Sequence, residues 1–524
     1  MSLSALDITA VVLYGVALFG IAWWVSREKA GHSKDSTDYF LAGKSLPWWA
    51  IGASLIAANI SAEQIIGMSG SGFAIGLGIA SYEWMAAITL LIIGKYFLPI
   101  FLEKGITTMP QFLEQRYDSR VRTVMAIFWL ALYTFVNLTS ILWLGALAIN
   151  AITGLELVWG LVFLAAFSIG YSIYGGLKAV ALTDIIQVVL LIIGGLLVSW
   201  LALGQIAENA GGAGAFQGFS IMLAEIPEKF DMILDPSNEH YISLPGISVL
   251  VGGLWIMNLS YWGFNQYITQ RTLAAKSLAE AQKGIAFAAY LKLLMPLIVV
   301  LPGMAAAMLK PDLAQPDQAY PEMMKLVPQG LLGITFAALV AAIASSLGSM
   351  VNSISTIFTM DIYAKLINPG ASERKKVMIG RMVATLAMVV AVIIAKPLLG
   401  NFPQAFQFIQ EFTGFFTPGI VTIFLLGFFW KRATATSALV AAIASVVLSA
   451  LFWQFWPELP FIDRVGIVFL ACVALAVVIT LIGGAKEQPN AIHLENTDFS
   501  TRTSFNLLSL GVVLILVVLY SVWW

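Results

Sequence analysis

Asn59, Ser61, Glu63 and Gln64 crowd together in the stretch SLIAANISAEQIIGMSGSGFAIG, residues 54–76, whose flanks are apolar. Such side chains can hold a polar solute by donating and accepting hydrogen bonds. A helix facing lipid does not carry them, because each unpaired polar group in hydrocarbon costs several kcal/mol. Irregular backbone at membrane depth persists only inside protein or along a cavity. The stretch therefore reads as a broken helix whose opened turn binds a solute and an ion. A tight crossing of small residues would also explain Gly67, Gly70, Gly72 and Gly76, though not the polar run.

Two charges lie deep in other apolar segments: Glu83 in ASYEWMAAITLL and Lys292 in AFAAYLKLLMPLIVV. Intramembrane ionisable groups mark functional sites by default. The plainer alternative is a structural pair in which each neutralises the other. One charge of each sign suits a neutral, hydroxyl-rich solute, with Glu83 accepting and Lys292 donating. Asn59, Gln64, Asn258 and Gln410 can do either. Tyr82, Trp84, Tyr261, Trp262 and Phe406 stand nearby in sequence and could pack on the C–H face of a sugar or close a pocket. Ser345 and Ser346 place two hydroxyls one residue apart, and an opened turn frees carbonyls near Ala57 and Ile60. Oxygen ligands of this kind suit a small hard cation. Asp184 in ALTDIIQ either guides a departing cation or is a solvated carboxylate at a helix end.

The elements that position these groups are membrane helices. The chain has 524 residues, 59% hydrophobic and only 11% charged, against about a quarter charged in soluble proteins. With roughly 20 apolar residues per span, about fourteen transmembrane helices are expected. They fall near 8–26, 47–72, 77–102, 121–150, 155–174, 178–207, 247–267, 283–309, 330–360, 377–396, 403–430, 434–453, 465–484 and 504–523. The first residues, MSLSALD, lack a basic flank and cleavage site, so the first apolar segment reads as a retained span.

With alternating sides, 21 Lys and Arg fall on one set of loops and 5 on the other. The positive-inside rule puts the first set in the cytoplasm and both termini outside. The acidic segment 208–246 is then the longest outer loop. Cys472 is the single cysteine, so no internal disulfide forms, and the net charge of −1 argues against a nucleic-acid partner. The three histidines (His32, His240, His493) lie outside the spans and no metal cluster is visible, which disfavours a membrane enzyme.

An echo of the first break comes five spans later, in GGLWIMNLSYWGFNQYITQR, residues 252–271. There Asn258 and Ser260 interrupt an apolar run and Tyr261 lies within the interruption. Asn137, Thr139 and Ser140 likewise match Ser345, Ser346, Ser349, Asn352 and Ser353 in the third span of each set. Paired interruptions at matching places point to inverted repeats with a site between them.

The stretches DYFLAGKSLPWWAIGASLIAANISAEQ, ASYEWM, YSIYGGLKAVALTDIIQ, YWGFNQYITQRTLAAKS and QAFQFIQEFTG resemble the solute:sodium symporter family, and within it the sugar-carrying branch. The resemblance runs from about residue 7 to the last helix. It implies an all-α membrane protein with a leading helix (1–26), two inverted five-helix repeats with discontinuous helices (47–207 and 247–430) and three C-terminal helices (434–524). It implies sugar contacts at Asn59, Gln64, Glu83, Asn258, Lys292 and Gln410, with Tyr261 closing the inner side. It implies sodium on the carbonyls of Ala57, Ile60 and Ala342 and the hydroxyls of Ser345 and Ser346. Sodium is then the coupling ion, with no other cofactor, in a bacterial inner membrane; a homodimer stays open. Where the sugar branch has a serine against its solute, this chain has Ala86, which puts the choice of hexose in doubt.

Overall fold

The computed structural model describes residues 3–26, 44–106, 108–400, 404–495 and 497–524, with backbone alone for 19, 22, 25, 26 and 171–183. The DYFLAG part of the first family stretch lies outside the described residues, as do the side chains of YSIYGGLKAVALT. Among the described residues nine helices are long and apolar enough to cross a bilayer, or up to eleven if two bent pairs are each one span. Shorter apolar pieces supply Ala5–Leu18 and Leu157–Gly170.

The first bent pair is the expected broken helix. Trp48–Asn59 is α-helical, and the chain resumes as a π-wound turn over Glu63–Met68 and an α-turn over Ser69–Ala74. The two halves meet at 62°. Ile60 sits at the break with φ −70° and ψ 80°. Freed amides there find local partners: Ser61 N–H donates to the Asn59 carbonyl at 2.7 Å, and Glu63 N–H to the Ser61 hydroxyl at 3.1 Å. An unmet amide in hydrocarbon would undo such a turn.

Both halves pack on one long helix, Leu278–Leu309, through glycines. A Cβ on Gly284 would stand 2.8 Å from the Trp48 carbonyl oxygen, and one on Gly303 would stand 2.0 Å from that of Ser69. Small-residue crossing and polar interruption, posed as rivals above, are both present and do different jobs. The glycines hold the two halves; the polar run fills the gap between them. Gly303→Val is therefore expected to prevent this crossing, read as loss of the monodisperse, thermally cooperative protein in detergent. Gly105→Ala, with open space around its Cβ, should cost far less despite its φ of +60°.

The second interruption differs in place from expectation. Gly253–Phe264 is an unbroken helix, so Asn258, Ser260 and Tyr261 do not lie in a break. Asn258 spends its amide on the Leu254 carbonyl at 3.1 Å, a bond that leaves the helix intact. The backbone departs from helix at Gly252 (φ −114°, ψ −135°) and again at Asn265 (φ −91°, ψ 119°). Tyr133 holds the second point: its hydroxyl donates to the Asn265 side chain and accepts the Gln266 N–H at 2.8 Å.

Helical winding is continuous over the 53 residues of Leu157–Asn209, where two spans with a turn near 175–177 were expected. The two ends are nonetheless separate limbs. Ser168 donates to the Ala344 carbonyl at 3.1 Å, while Asp184 accepts from the adjacent Ser345. Sixteen residues of straight helix would hold them about 24 Å apart, so the helix bends sharply between Ser168 and Asp184.

A third bend, 43°, separates Ala405–Thr413 from Thr417–Phe429. Buried Arg116 secures the latter helix at its end, donating to the carbonyls of Gly427 (2.7 Å), Trp430 (2.9 Å) and Ala433 (3.2 Å). Tyr117 adds a bond to the Ile423 carbonyl at 2.8 Å. The 208–246 segment also does more than connect. It forms a helix over Ala215–Glu225, and Lys229 caps the second half of the broken helix through the Phe73 and Ala74 carbonyls at 3.0 and 2.9 Å. A cation suits the negative end of a helix.

Candidate functional site

The broken helix, the Ser81–Ile92 helix, Gly253–Phe264, Leu278–Leu309 and Ala405–Thr413 surround a narrow cavity. Asn59, Gln64, Tyr82, Glu83 and Asn258 line it, and so do Tyr261, Lys292, Phe406 and Gln410. These nine of the side chains weighed for solute contact thus converge, from five separate stretches of chain.

At its centre the Lys292 ammonium donates to Glu83 Oε2 at 2.5 Å and to the Asn59 side-chain oxygen. Both charges are almost wholly buried. The ammonium also lies 4.9 Å from the centre of the Trp262 ring, close enough for a cation–π attraction. Asn59 passes the chain on, donating to the Tyr261 hydroxyl at 3.0 Å, which pairs in turn with Tyr267. A buried ion pair is tolerated best where further hydrogen bonds join it, and here Asn59 gives the ammonium a second acceptor. Tyr82 and Phe406 stack edge to face at 5.4 Å on the side of the Ala405–Thr413 helix. Ala86 lines the same cavity.

Three further residues had no solute contact assigned from the sequence, Glu63 and Asn137 having been named there only as polar interruptions. Glu63 and Asn137 both line the cavity. Their polarity in apolar spans was a usable signal. Tyr133 had none, since its role depends on a partner 132 residues away. Trp84, grouped above with the site aromatics, turns away and packs on Tyr520 at 5.7 Å.

The candidate cation ligands lie at the break. The Ser346 hydroxyl reaches the Ala57 and Ala58 carbonyls, each at 3.2 Å. Ile60 is the broken residue itself, and Ala342 is buried one helical turn before Ser346. Ser345 faces elsewhere, donating to Asp184. Asp184 is not a solvated helix-end carboxylate: it is fully buried, accepts from Ser54 at 2.5 Å and lies 3.9 Å from the Arg271 guanidinium. Burial among apolar spans is tolerable for it because hydroxyls and a cation surround it.

Asp317 accepts the Ala405 N–H at 3.1 Å and abuts Gly70, joining the broken helix to Ala405–Thr413. Burial pushes its carboxyl up to about 7, against the lowering effect of the Ala405 bond.

Residues 39–445 match the sodium:solute symporter family. A sodium/glucose cotransporter of Vibrio parahaemolyticus is 51% identical, over 100% of this chain and 99% of that one. The human sodium/myo-inositol cotransporter 2 is 34% identical over 84% of this chain and 69% of its own length. The structure of a Na+-coupled sialic acid symporter in a substrate-bound outward-open state shares the fold, with a TM-score of 0.79 at 23% identity over 91% of this chain and 98% of that one. A multi-pass helical protein with two buried opposite charges beside a broken helix, matched over this length, belongs to the sodium:solute symporter family.

Proposed function

We propose that the chain is a sodium-coupled symporter that takes up a neutral hexose, galactose or glucose, by alternating access across the bacterial inner membrane. The Glu83–Lys292 pair carries this reading. Its two charges cancel each other while leaving donors and acceptors, which fits hydroxyls better than a carboxylate or an amine. Asn59, Gln64, Glu83, Asn258, Lys292 and Gln410 then contact the sugar, Tyr261 closes its inner side, and Tyr82 with Phe406 covers the outer. Sodium takes the carbonyls of Ala57, Ile60 and Ala342 with the hydroxyls of Ser345 and Ser346, and leaves past Asp184. Segments 47–207 and 247–430 act as inverted repeats around this centre, with both termini outside.

Sodium must favour the outward-open, sugar-competent state by differential affinity. One charge crossing ~100 mV supplies about 2.3 kcal/mol, and a roughly tenfold sodium gradient about 1.4 kcal/mol more. One sodium per sugar then supports an accumulation of roughly 500-fold. Sodium-dependent uptake of labelled galactose and glucose into proteoliposomes tests the reading; equal uptake without sodium would refute it. Ala86 favours a second reading within the same chemistry. With no side-chain hydroxyl there, a ring alcohol such as inositol is a competing cargo, and competition against labelled galactose decides between them.

A further inference from the structure

The Ala405–Thr413 helix has two working faces. Phe406 and Gln410, one turn apart, line the central cavity. Gln407 and Glu411, also one turn apart, line a different pocket of about 290 Å³. Its other walls come from distant pieces of chain. Ser243 belongs to the 208–246 segment, Trp453 to the end of the Ala435–Phe455 helix, and Phe461 to the start of the next.

Gln407 is the informative residue. Its Oε1 and Nε2 are both buried and neither has a hydrogen-bond partner. Native proteins seldom leave a buried amide so. Glu411 is matched by Arg464 at 3.1 Å, so the pair adds no net charge, yet the carboxylate keeps lone pairs to offer. Ser243 supplies a hydroxyl. Trp453 is 47% exposed and offers an indole face. The pocket thus presents a donor and an acceptor from one amide, further acceptors, a hydroxyl and an aromatic platform. It has no unmatched charge for an ion, and Ile242, Pro457 and Leu459 add apolar surface for the C–H faces of a ring.

We propose that this pocket is a second binding site for a neutral hexose, on the face that charge asymmetry places outside. The inference rests on the sugar reading of the central cavity. One helix serves both sites, so a sugar held by Gln407 is held against the back of the element that carries Phe406 and Gln410.

Equilibrium binding of labelled galactose to the full chain tests this, in nanodiscs of phosphatidylethanolamine and phosphatidylglycerol with saturating sodium. The absence of sugar-headed lipid and detergent leaves free hexose as the sole ligand. Wild type should bind two galactose molecules per chain. Glu83→Ala should remove the central one and leave the other. Gln407→Ala should leave the central one and weaken the second about tenfold, the effect of losing one to two net hydrogen bonds. Trp453→Ala, at an exposed rim where folding is not at stake, should weaken the same second site. One galactose per wild-type chain, abolished by Glu83→Ala, overturns the second site and leaves the sugar reading standing. Binding isotherms for Gln407→Ala and Trp453→Ala that overlay wild type also overturn it. No galactose bound by wild type overturns both.

Discussion

Replacing Glu83 by alanine is expected to abolish hexose accumulation while sodium binding stays measurable. The carboxylate accepts from Lys292, and that ammonium also holds Asn59. Removing Glu83 takes an acceptor from the sugar and strips the counter-charge from a buried cation. Breaking a buried pair from one side costs about 3–5 kcal/mol, so thermal stability should fall as well. Glu83→Gln separates the two effects. It keeps an acceptor and loses the charge, and with hydrogen bonds to charged groups worth about 1.5–3 kcal/mol, uptake should drop roughly tenfold to a hundredfold. Proteoliposome uptake with sodium binding measured alongside is the test. Normal concentration of galactose by Glu83→Ala would place the sugar elsewhere.

The second large effect is expected at Ser346. Its hydroxyl stands 3.2 Å from two carbonyls that flank the break, so it already spans the oxygens that a cation would gather. Ser346→Ala removes one ligand from a small set. The sodium concentration for half-maximal uptake should rise tenfold or more, about 1.4 kcal/mol. Galactose affinity at saturating sodium should stay near wild type. Ser345→Ala should behave differently, because Ser345 points to Asp184. There the loss leaves a buried carboxylate with one donor fewer, and protein stability should suffer along with sodium dependence. An unchanged sodium requirement in Ser346→Ala would remove Ser346 from the ion path.

The first break was legible because its cause is local. Asn59, Ser61, Glu63 and Gln64 have no good place on a lipid-facing helix, and Ser61 itself satisfies an amide that the break frees. The second break was misplaced because its cause is distant. Asn258 satisfies itself within the helix, whereas Asn265 is held open by Tyr133 from another span. Charge in an apolar run singled out Glu83 and Lys292, which the fold brings together as a buried pair. The same logic undervalued Asp184, whose partners Ser54, Arg271 and Ser345 come from three other stretches. Aromatic residues were the weakest guide: Tyr82 and Trp84 are two residues apart, yet one meets Phe406 and the other Tyr520. Helix phase decides such cases, and it is set by packing rather than by residue type.

Arg116 pins three carbonyls at the end of Thr417–Phe429, and a segment anchored at that many points cannot travel. The elbow at Gly414–Phe416 then leaves Ala405–Thr413 as the free arm. Nine residues of helix make a lever about 13 Å long, and a swing of 10° shifts its tip by roughly 2 Å. That is enough to part a hydrogen bond such as Asp317 to Ala405. A small rotation about a bolted base would thus unseal one end of the solute chamber while its floor stays put.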